Sequence, residues 1–358
     1  MRWKECPTFR RYVKAIDRKC FIIIEALNRT KTKNLSLIAR ETDMPPALVH
    51  YYYDKLARRG IVKLKTKINI RKIGLQPLEL IIKQENMKTE EIEEQLKNVK
   101  YWRTITRYYT SKEAHYHAIF NIPTEKVEEL KKDITALEEK IKIKILTQNL
   151  NPIEVNPKSN FQWFNEEEKR WLFNWNEWIN EETKEREINL NPRKEEKVML
   201  DEPDIFILKK LEENPDVTFK DLAKALGVTP PTIRYHYYKH LINYRILEGF
   251  ELTLYPYPKD LALDLIANIK FHTSETMKTF IGSLENKPFT QRIWINPEQQ
   301  AITMYIYLLI DQMPNFMEAM TILKEKGKIK KYTVGVIDKN RRYERSLPAE
   351  LYEKGRWK

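Results

Sequence analysis

The sequence predicts an α+β fold with two winged helix-turn-helix domains, each followed by a ferredoxin-like βαββαβ domain. Three observations predict it. The chain resembles itself at an offset of 184 residues, each half opens on three short helix-period segments broken by a Pro-Pro turn, and each continues with strands and helices in the same order. A length of 358 residues is beyond one ordinary core, so several domains are expected. With 42% hydrophobic and 32% charged residues, the chain has the apolar material to fill them.

The internal similarity places Asp17-Arg-Lys-Cys-Phe-Ile-Ile-Ile-Glu-Ala-Leu27 over Asp201-Glu-Pro-Asp-Ile-Phe-Ile-Leu-Lys-Lys-Leu211, Leu37-Ile-Ala39 over Asp221-Leu-Ala223, and Val49 over Ile233. One residue must then be inserted in the second half to set Tyr51-Tyr-Tyr-Asp-Lys-Leu56 against His236-Tyr-Tyr-Lys-His-Leu241. Helices are expected at 17–28, 36–42 and 46–59, and again at 204–213, 219–226 and 231–244. Asp43-Met-Pro-Pro and Gly227-Val-Thr-Pro-Pro form the turns, since Asp or Gly tolerates a left-handed backbone and Pro starts a helix with φ already set. Val49, Tyr53 and Leu56 recur at helical spacing and should face the core. That leaves His50, Tyr51, Asp54, Lys55 and Arg58 outward, and Thr232, Arg234, Tyr235 and Lys239 outward in the second half.

Behind each third helix, Gly60 to Ile70 and Ile246 to Leu254 alternate as a two-stranded wing would. Lys63, Lys65 and Lys67 share one face of the first, and Glu248 and Glu251 stand in the second. The βαββαβ order then occupies residues 78–150 and 261–337. Domains are expected at 1–74, 75–150, 201–258 and 259–358, joined by an aromatic helical linker over 151–200. In that linker Trp171, Trp175 and Trp178 make one helical stripe, near Phe161, and the stretch reads as a packed bridge, the alternative being an exposed groove for a partner.

Charge points to a polyanionic partner. Residues 1–73 hold 19 basic against 6 acidic residues, equal to the whole net charge of +13, and residues 324–358 hold 12 against 5. Second-half residues 204–256 are balanced, seven against seven, so that module either reads DNA with help from the first or contacts protein. Cys6 and Cys20 match no zinc or redox spacing, and Cys20 reads as core. His236 and His240 sit at i and i+4 with no third metal ligand beside them in sequence, and His115 and His117 read as surface or interface residues. No Walker loop, dinucleotide turn, nucleophile elbow or zincin helix is present, so neither catalysis nor a cofactor is expected. No leader or bilayer-length apolar run occurs, which suggests a soluble, cytoplasmic protein without membrane partners. Abundant Lys, Glu and Ile with few Gly suggest a thermophilic prokaryotic or archaeal source.

At these residues the chain resembles the Lrp/AsnC family of leucine-responsive transcription regulators. Ile16 to Leu27 is similar to that family's opening helix, Ile38-Ala39, Met44 to Val49, Leu56 and Gly60-Ile-Val62 fall at its helix-turn-helix spacing, and the following βαββαβ order is also the family's. The resemblance implies a sequence-specific regulator of double-stranded DNA that assembles as a homodimer. The family usually carries one such unit per chain, whereas this chain carries two. Its effector hairpin is replaced here by Thr110-Ser-Lys-Glu113 and Asn296-Pro-Glu-Gln299, so a small-molecule effector has no support in the sequence. On this reading His50, Tyr51 and Lys55 meet base edges, with Arg58 on the same outward face. Lys63, Lys65 and Lys67 grip phosphates, and Thr232, Arg234, Tyr235 and Lys239 take comparable places in the second module. The arm Arg2, Lys4, Arg10, Arg11, Lys14 and the tail Arg341, Arg342, Arg345 would assist. The alternatives are a protein-interaction adaptor within transcription or replication machinery and a structured-RNA binder.

Overall fold

A computed structural model describes residues 6–85, 87–141, 143–157, 162–168, 170–181, 187–191 and 195–358. Along the chain run α1 (Pro7–Val13), α2 (Arg18–Thr30), α3 (Leu35–Thr42), α4 (Pro46–Arg58), β1 (Val62–Ile68), β2 (Leu75–Gln84), α5 (Thr89–Asn98), β3 (Trp102–Tyr109), β4 (Ala114–Pro123), α6 (Val127–Ile141) and β5 (Ile143–Leu150). Then come β6 (Ile153–Val155), β7 (Phe164–Asn165), β8 (Arg170–Trp171), α7 (Trp175–Asn180), α8 (Glu202–Glu213), α9 (Phe219–Leu226), α10 (Pro230–Tyr235) with a π-helical continuation His236–Ile242, and β9 (Leu247–Leu254). The last third holds β10 (Ala262–Lys270), α11 (Ser274–Ser283), β11 (Thr290–Asn296), β12 (Ala301–Leu309), α12 (Met313–Glu325), β13 (Lys331–Glu344), β14 (Tyr352–Glu353) and β15 (Arg356–Trp357).

Two compact units are present, each assembled from three stretches. Met1–Leu64, Ile153–Asn191 and Leu252–Ile337 make the first; Lys65–Pro152, Pro192–Glu251 and Asp338–Lys358 make the second. Each unit therefore takes its three-helix head from one half of the sequence and its α+β layer from the other.

In the first unit, the Asp17 side chain accepts the Cys20 amide at 3.1 Å and starts α2, while Asn34 accepts from Ser36 and Leu37 and starts α3. Asp43, at φ 52°, closes α3 in the left-handed region that the turn requires. Ile23, Ala26, Leu27, Ile38, Ala39 and Val49 then bury against one another. Cys20 is fully buried, and its thiol donates to Ala15 O. Burial, foremost, pushes that thiol up to about 11, so it carries no thiolate at neutral pH. The α+β layer orders its strands β13-β10-β12-β11, fourth-first-third-second, with β6 added beside β11. Its inward residues, among them Leu265, Ile269, Ile293, Met304 and Ile306, pack on Phe280 of α11 and Phe316 of α12.

The aromatic stretch departs from the predicted stripe. Trp171 belongs to β8, paired with Phe164, and α7 starts only at Trp175, because the Asn174 side chain accepts the Glu177 amide at 3.2 Å and caps the helix there. Trp175 and Trp178 both stack around Phe289 within the first unit. Phe161 lies outside the described residues.

In the second unit the layer orders its strands β5-β2-β4-β3, again fourth-first-third-second, over a core of Leu78, Leu80, Ile82, Tyr116, Phe120 and the inner faces of α5 and α6. The head begins with capping boxes, Asp201 with Asp204 at α8 and Thr218 with Asp221 at α9, and Gly227 at φ 68° makes the turn into α10. Val49 and Leu56 are seven residues apart, Ile233 and Leu241 eight, and all four are fully buried. The π-helical stretch His236–Ile242 absorbs the extra residue, since its wider turn returns Leu241 to the buried face.

Neither wing folds as a hairpin of its own. β1 and β9 pair with each other in a two-stranded ladder. In the first unit the Tyr255 amide donates to Ile61 O at 2.8 Å, and in the second the Asn69 amide donates to Ile246 O at 2.8 Å. The predicted hairpin fails because the segment from Ile61 to Ile68 contains no Gly, Pro, Asn or Asp at which a strand could reverse.

Candidate nucleic-acid interface

On α4, burial of Val49 and Leu56 turns the opposite face outward. His50, Tyr51 and Arg58 are exposed there, and Lys55 is half-buried, with its ammonium 5.1 Å from the Tyr52 ring centroid and 5.9 Å from that of Tyr51. Arg58 pairs with Asp54 one turn earlier at 3.4 Å, an exposed contact worth little. The face thus presents one imidazole, one phenol and two cations at spacings that a groove-lying helix can use.

The three wing lysines do not behave as one group. Lys63 is exposed. Lys65 pairs with Glu344 at 3.1 Å, and Lys67 pairs with Glu251 at 2.7 Å and Glu248 at 3.9 Å. The sequence offered no acid near them. The β1–β9 ladder supplies two from β9, and the C-terminal stretch supplies the third. The basic tail is corrected likewise: Arg341 holds Glu90 and Glu93, Arg342 stands 3.6 Å from Glu344, and Arg345 holds Glu350. In the arm, Arg10, Arg11 and Lys14 are exposed on and after α1, whereas Arg2 and Lys4 lie outside the described residues.

The second head carries a fuller surface than its neutral sum suggested. Thr232, Arg234, Tyr235 and Lys239 are all exposed, joined by Tyr238 and Tyr244 at 47% and 50% exposure. From Val228 to Leu247 no acidic residue occurs, while Arg234, Lys239 and Arg245 do. The acids of this module sit on α8, α9, the turn between them and β9, so the even balance hides a segregated one. Thr229 caps α10 by accepting the Thr232 amide, which sets the orientation of the whole face.

That helix is tied to α8 from behind. The Nδ1 atoms of His236 and His240 each approach a carboxylate oxygen of Asp204 at 2.9 Å. Asp204 is completely buried, and desolvation, opposed by the two imidazoles, holds its carboxyl above the ordinary range. Asp201 Oδ1 lies 3.6 Å from His236 Nδ1. Asp201, Asp204, His236 and His240 form the group of potential metal donors found among the described residues. The histidines' partners were invisible in sequence because they stand some thirty residues earlier, in the capping box of another helix.

His115 and His117, expected at a surface or interface, are buried at 6% and 0% exposure. His117 Nε2 faces Glu79 Oε1 at 3.1 Å, and Asn149 donates to Glu79 Oε2 at 2.8 Å, so three adjacent strands share a buried polar cluster. Alternation alone placed these side chains opposite the apolar face and could not show that this face is covered too. In the first unit a cavity of about 510 Å³ is walled by Phe9, Trp171, Phe173, Trp175, Tyr257 and Phe289, with Asp311, Gln312, Asn315 and Glu318 as its polar side; among the described residues no Lys, Arg or His lines it.

Residues 200–237 match a family described as winged helix-turn-helix DNA-binding. The matched stretch takes in α8, α9 and α10, the helical part of the second head. No curated protein sequence matches the chain. Among solved structures, the siroheme decarboxylase NirDL is similar over 90% of this chain and 93% of its own, at 13% identity and a TM-score of 0.51. This likeness shows a shared mixed α+β fold along nearly the whole length. It also overturns the expectation of a non-enzymatic chain, because the fold is one that an enzyme uses. Shorter likenesses, to AsnC of E. coli (17% identity, 40% of this chain and 93% of that one, TM-score 0.30) and to the transcriptional regulator NMB0573 of Neisseria meningitidis (18%, 42% and 96%, 0.35), are too slight to build upon. No helix among the described residues is long and apolar enough to cross a membrane.

Proposed function

We propose that the chain is a regulator of Lrp/AsnC type, built from a duplicated unit, that binds duplex DNA and assembles as a homodimer. The reading is carried by one observation: an exposed, acid-free helical face, Thr229 to Arg245, begins inside the segment that matches a DNA-binding winged helix-turn-helix family. Arg234 and Lys239 offer the donors that suit guanine edges or phosphates, and Thr232 and Tyr235 flank them. On α4, His50, Tyr51, Lys55 and Arg58 take the corresponding part, with Lys63 on phosphate.

Fragment selection from random duplexes, followed by titration at two salt concentrations, tests this directly. Arg234→Ala with Lys239→Ala is expected to weaken binding by roughly 10- to 100-fold and to lower the salt slope by about one per lost phosphate contact. Lys65→Ala with Lys67→Ala should leave the slope nearly unchanged, since both cations are already matched by carboxylates, whereas Lys63→Ala should lower it. An unaltered slope in the Arg234/Lys239 variant removes the second head from the interface.

The fold shared with NirDL favours a second reading, in which the chain catalyses a reaction of its own. The aromatic cavity is a poor place for a carboxylated substrate, which would meet Asp311 and Glu318 there and, among the described residues, no compensating cation. Incubating the purified chain with siroheme and following the products by mass spectrometry decides this reading, and unchanged siroheme would sink its decarboxylase form.

A further inference from the structure

The geometry points to a binding site for one divalent first-row transition-metal ion of the zinc class, formed by Asp201, Asp204, His236 and His240 in the second unit. Two imidazole nitrogens and two carboxylates are the donor set that such ions prefer over magnesium or calcium, which take oxygen ligands. Their ligand atoms all lie within 4.8 Å of one another. A tetrahedral ion with bonds of roughly 2.0–2.2 Å holds its donors about 3.3 Å apart. Three of the six separations, 2.9 Å from each histidine to Asp204 and 3.6 Å from His236 to Asp201, are within a few tenths of an ångström of that value, and the other three lie within 4.8 Å, so side-chain rotation must draw the set together around the ion.

Several independent features converge on the same four residues. Asp204 is a fully buried carboxylate with two imidazoles on it, a concentration of donors that a cation would neutralise more completely than hydrogen bonds do. The π-helical stretch places His236 and His240 side by side, with ring centroids 5.0 Å apart, over the start of α8. The one-residue insertion is specific to this half. At the matching offsets the first half has Asp17, Cys20, Tyr51 and Lys55, and an ammonium in place of the second imidazole would repel an ion. Bound there, the metal clamps α10 and its continuation to α8 directly behind Arg234 and Lys239. The site stands on its own geometry, whether or not that face reads DNA.

The test uses the full chain, freed of metal by chelator and then dialysed against Zn²⁺ or Co²⁺. About one ion per chain is expected, with the visible absorption of tetrahedral Co²⁺ and a thermal midpoint raised by Zn²⁺. His236→Gln with His240→Gln should lower the affinity by more than the roughly 100-fold that loss of an outer-sphere partner costs. Asp201→Ser retains an oxygen for capping α8 while removing a ligand, so it should weaken the metal with helicity preserved in the far-ultraviolet spectrum. If the wild-type chain retains no Zn²⁺ or Co²⁺ at micromolar concentration, or if the folded double-histidine variant binds as tightly as wild type, the site is wrong.

Discussion

Trp178→Ala is expected to lower the stability of the first unit by about 3–5 kcal/mol, the range for removing a large aromatic side chain from a packed core. Trp178 is 2% exposed, its ring meets Phe280 and Phe289, and its indole N–H donates to the Ser283 hydroxyl at 3.1 Å. Alanine leaves a cavity and strips Ser283 of its donor. Trp178→Phe fills most of the volume and should recover most of the loss apart from the hydrogen bond. Denaturant unfolding followed by tryptophan fluorescence reads both variants, and a shift below about 1 kcal/mol for alanine would show that α7 is not part of the core.

The second large effect is expected in the sheet of the second unit. Glu79→Ala takes from His117 and Asn149 the carboxylate that each contacts, in surroundings where all three residues are nearly inaccessible. Each buried hydrogen bond lost costs about 1–3 kcal/mol, so a loss of about 2–5 kcal/mol is expected. Glu79→Gln keeps one oxygen for Asn149 and should lose less. Equal losses for the two variants would mean that the carboxylate's charge, rather than its hydrogen bonds, holds the cluster together.

Much of the local structure was legible in the sequence because it is set by short-range chemistry. The apolar period of Val49 and Leu56, the left-handed positions at Asp43 and Gly227, and the strand–helix order of 78–150 and 261–337 all reappear with boundaries shifted by a few residues, apart from β13, which runs seven residues further. Even the inserted residue between Ile233 and Leu241 had a structural counterpart, the π-helical stretch. What the sequence hid depends on pairing between distant segments. Lys67 meets Glu251 because β1 lies against β9, Arg341 meets Glu93 across some 250 residues, and Asp204 lies beneath two histidines that carry no mark of it. Charge summed along the chain was therefore a poor guide to charge presented at a surface. The sums for the wing and tail overstated it, and the sum for the second head understated it.

The pairing of β1 with β9 bears on how the molecule comes to be made. A strand at Val62–Ile68 leaves the ribosome long before its partner at Leu247–Leu254 exists, and the helices of the first head must wait as long for Leu254, Tyr257 and Tyr307 to complete their core. Over that interval the nascent chain carries an open strand edge and an unfilled apolar face, the conditions under which chains associate wrongly. Closing such remote contacts costs loop entropy before it yields any contact, which slows the folding of topologies rich in them. Lysines alternating along β1 are the kind of residue that keeps an open edge from pairing with a neighbour's, and two of the three lose that free charge once the ladder with β9 and the C-terminal stretch is in place.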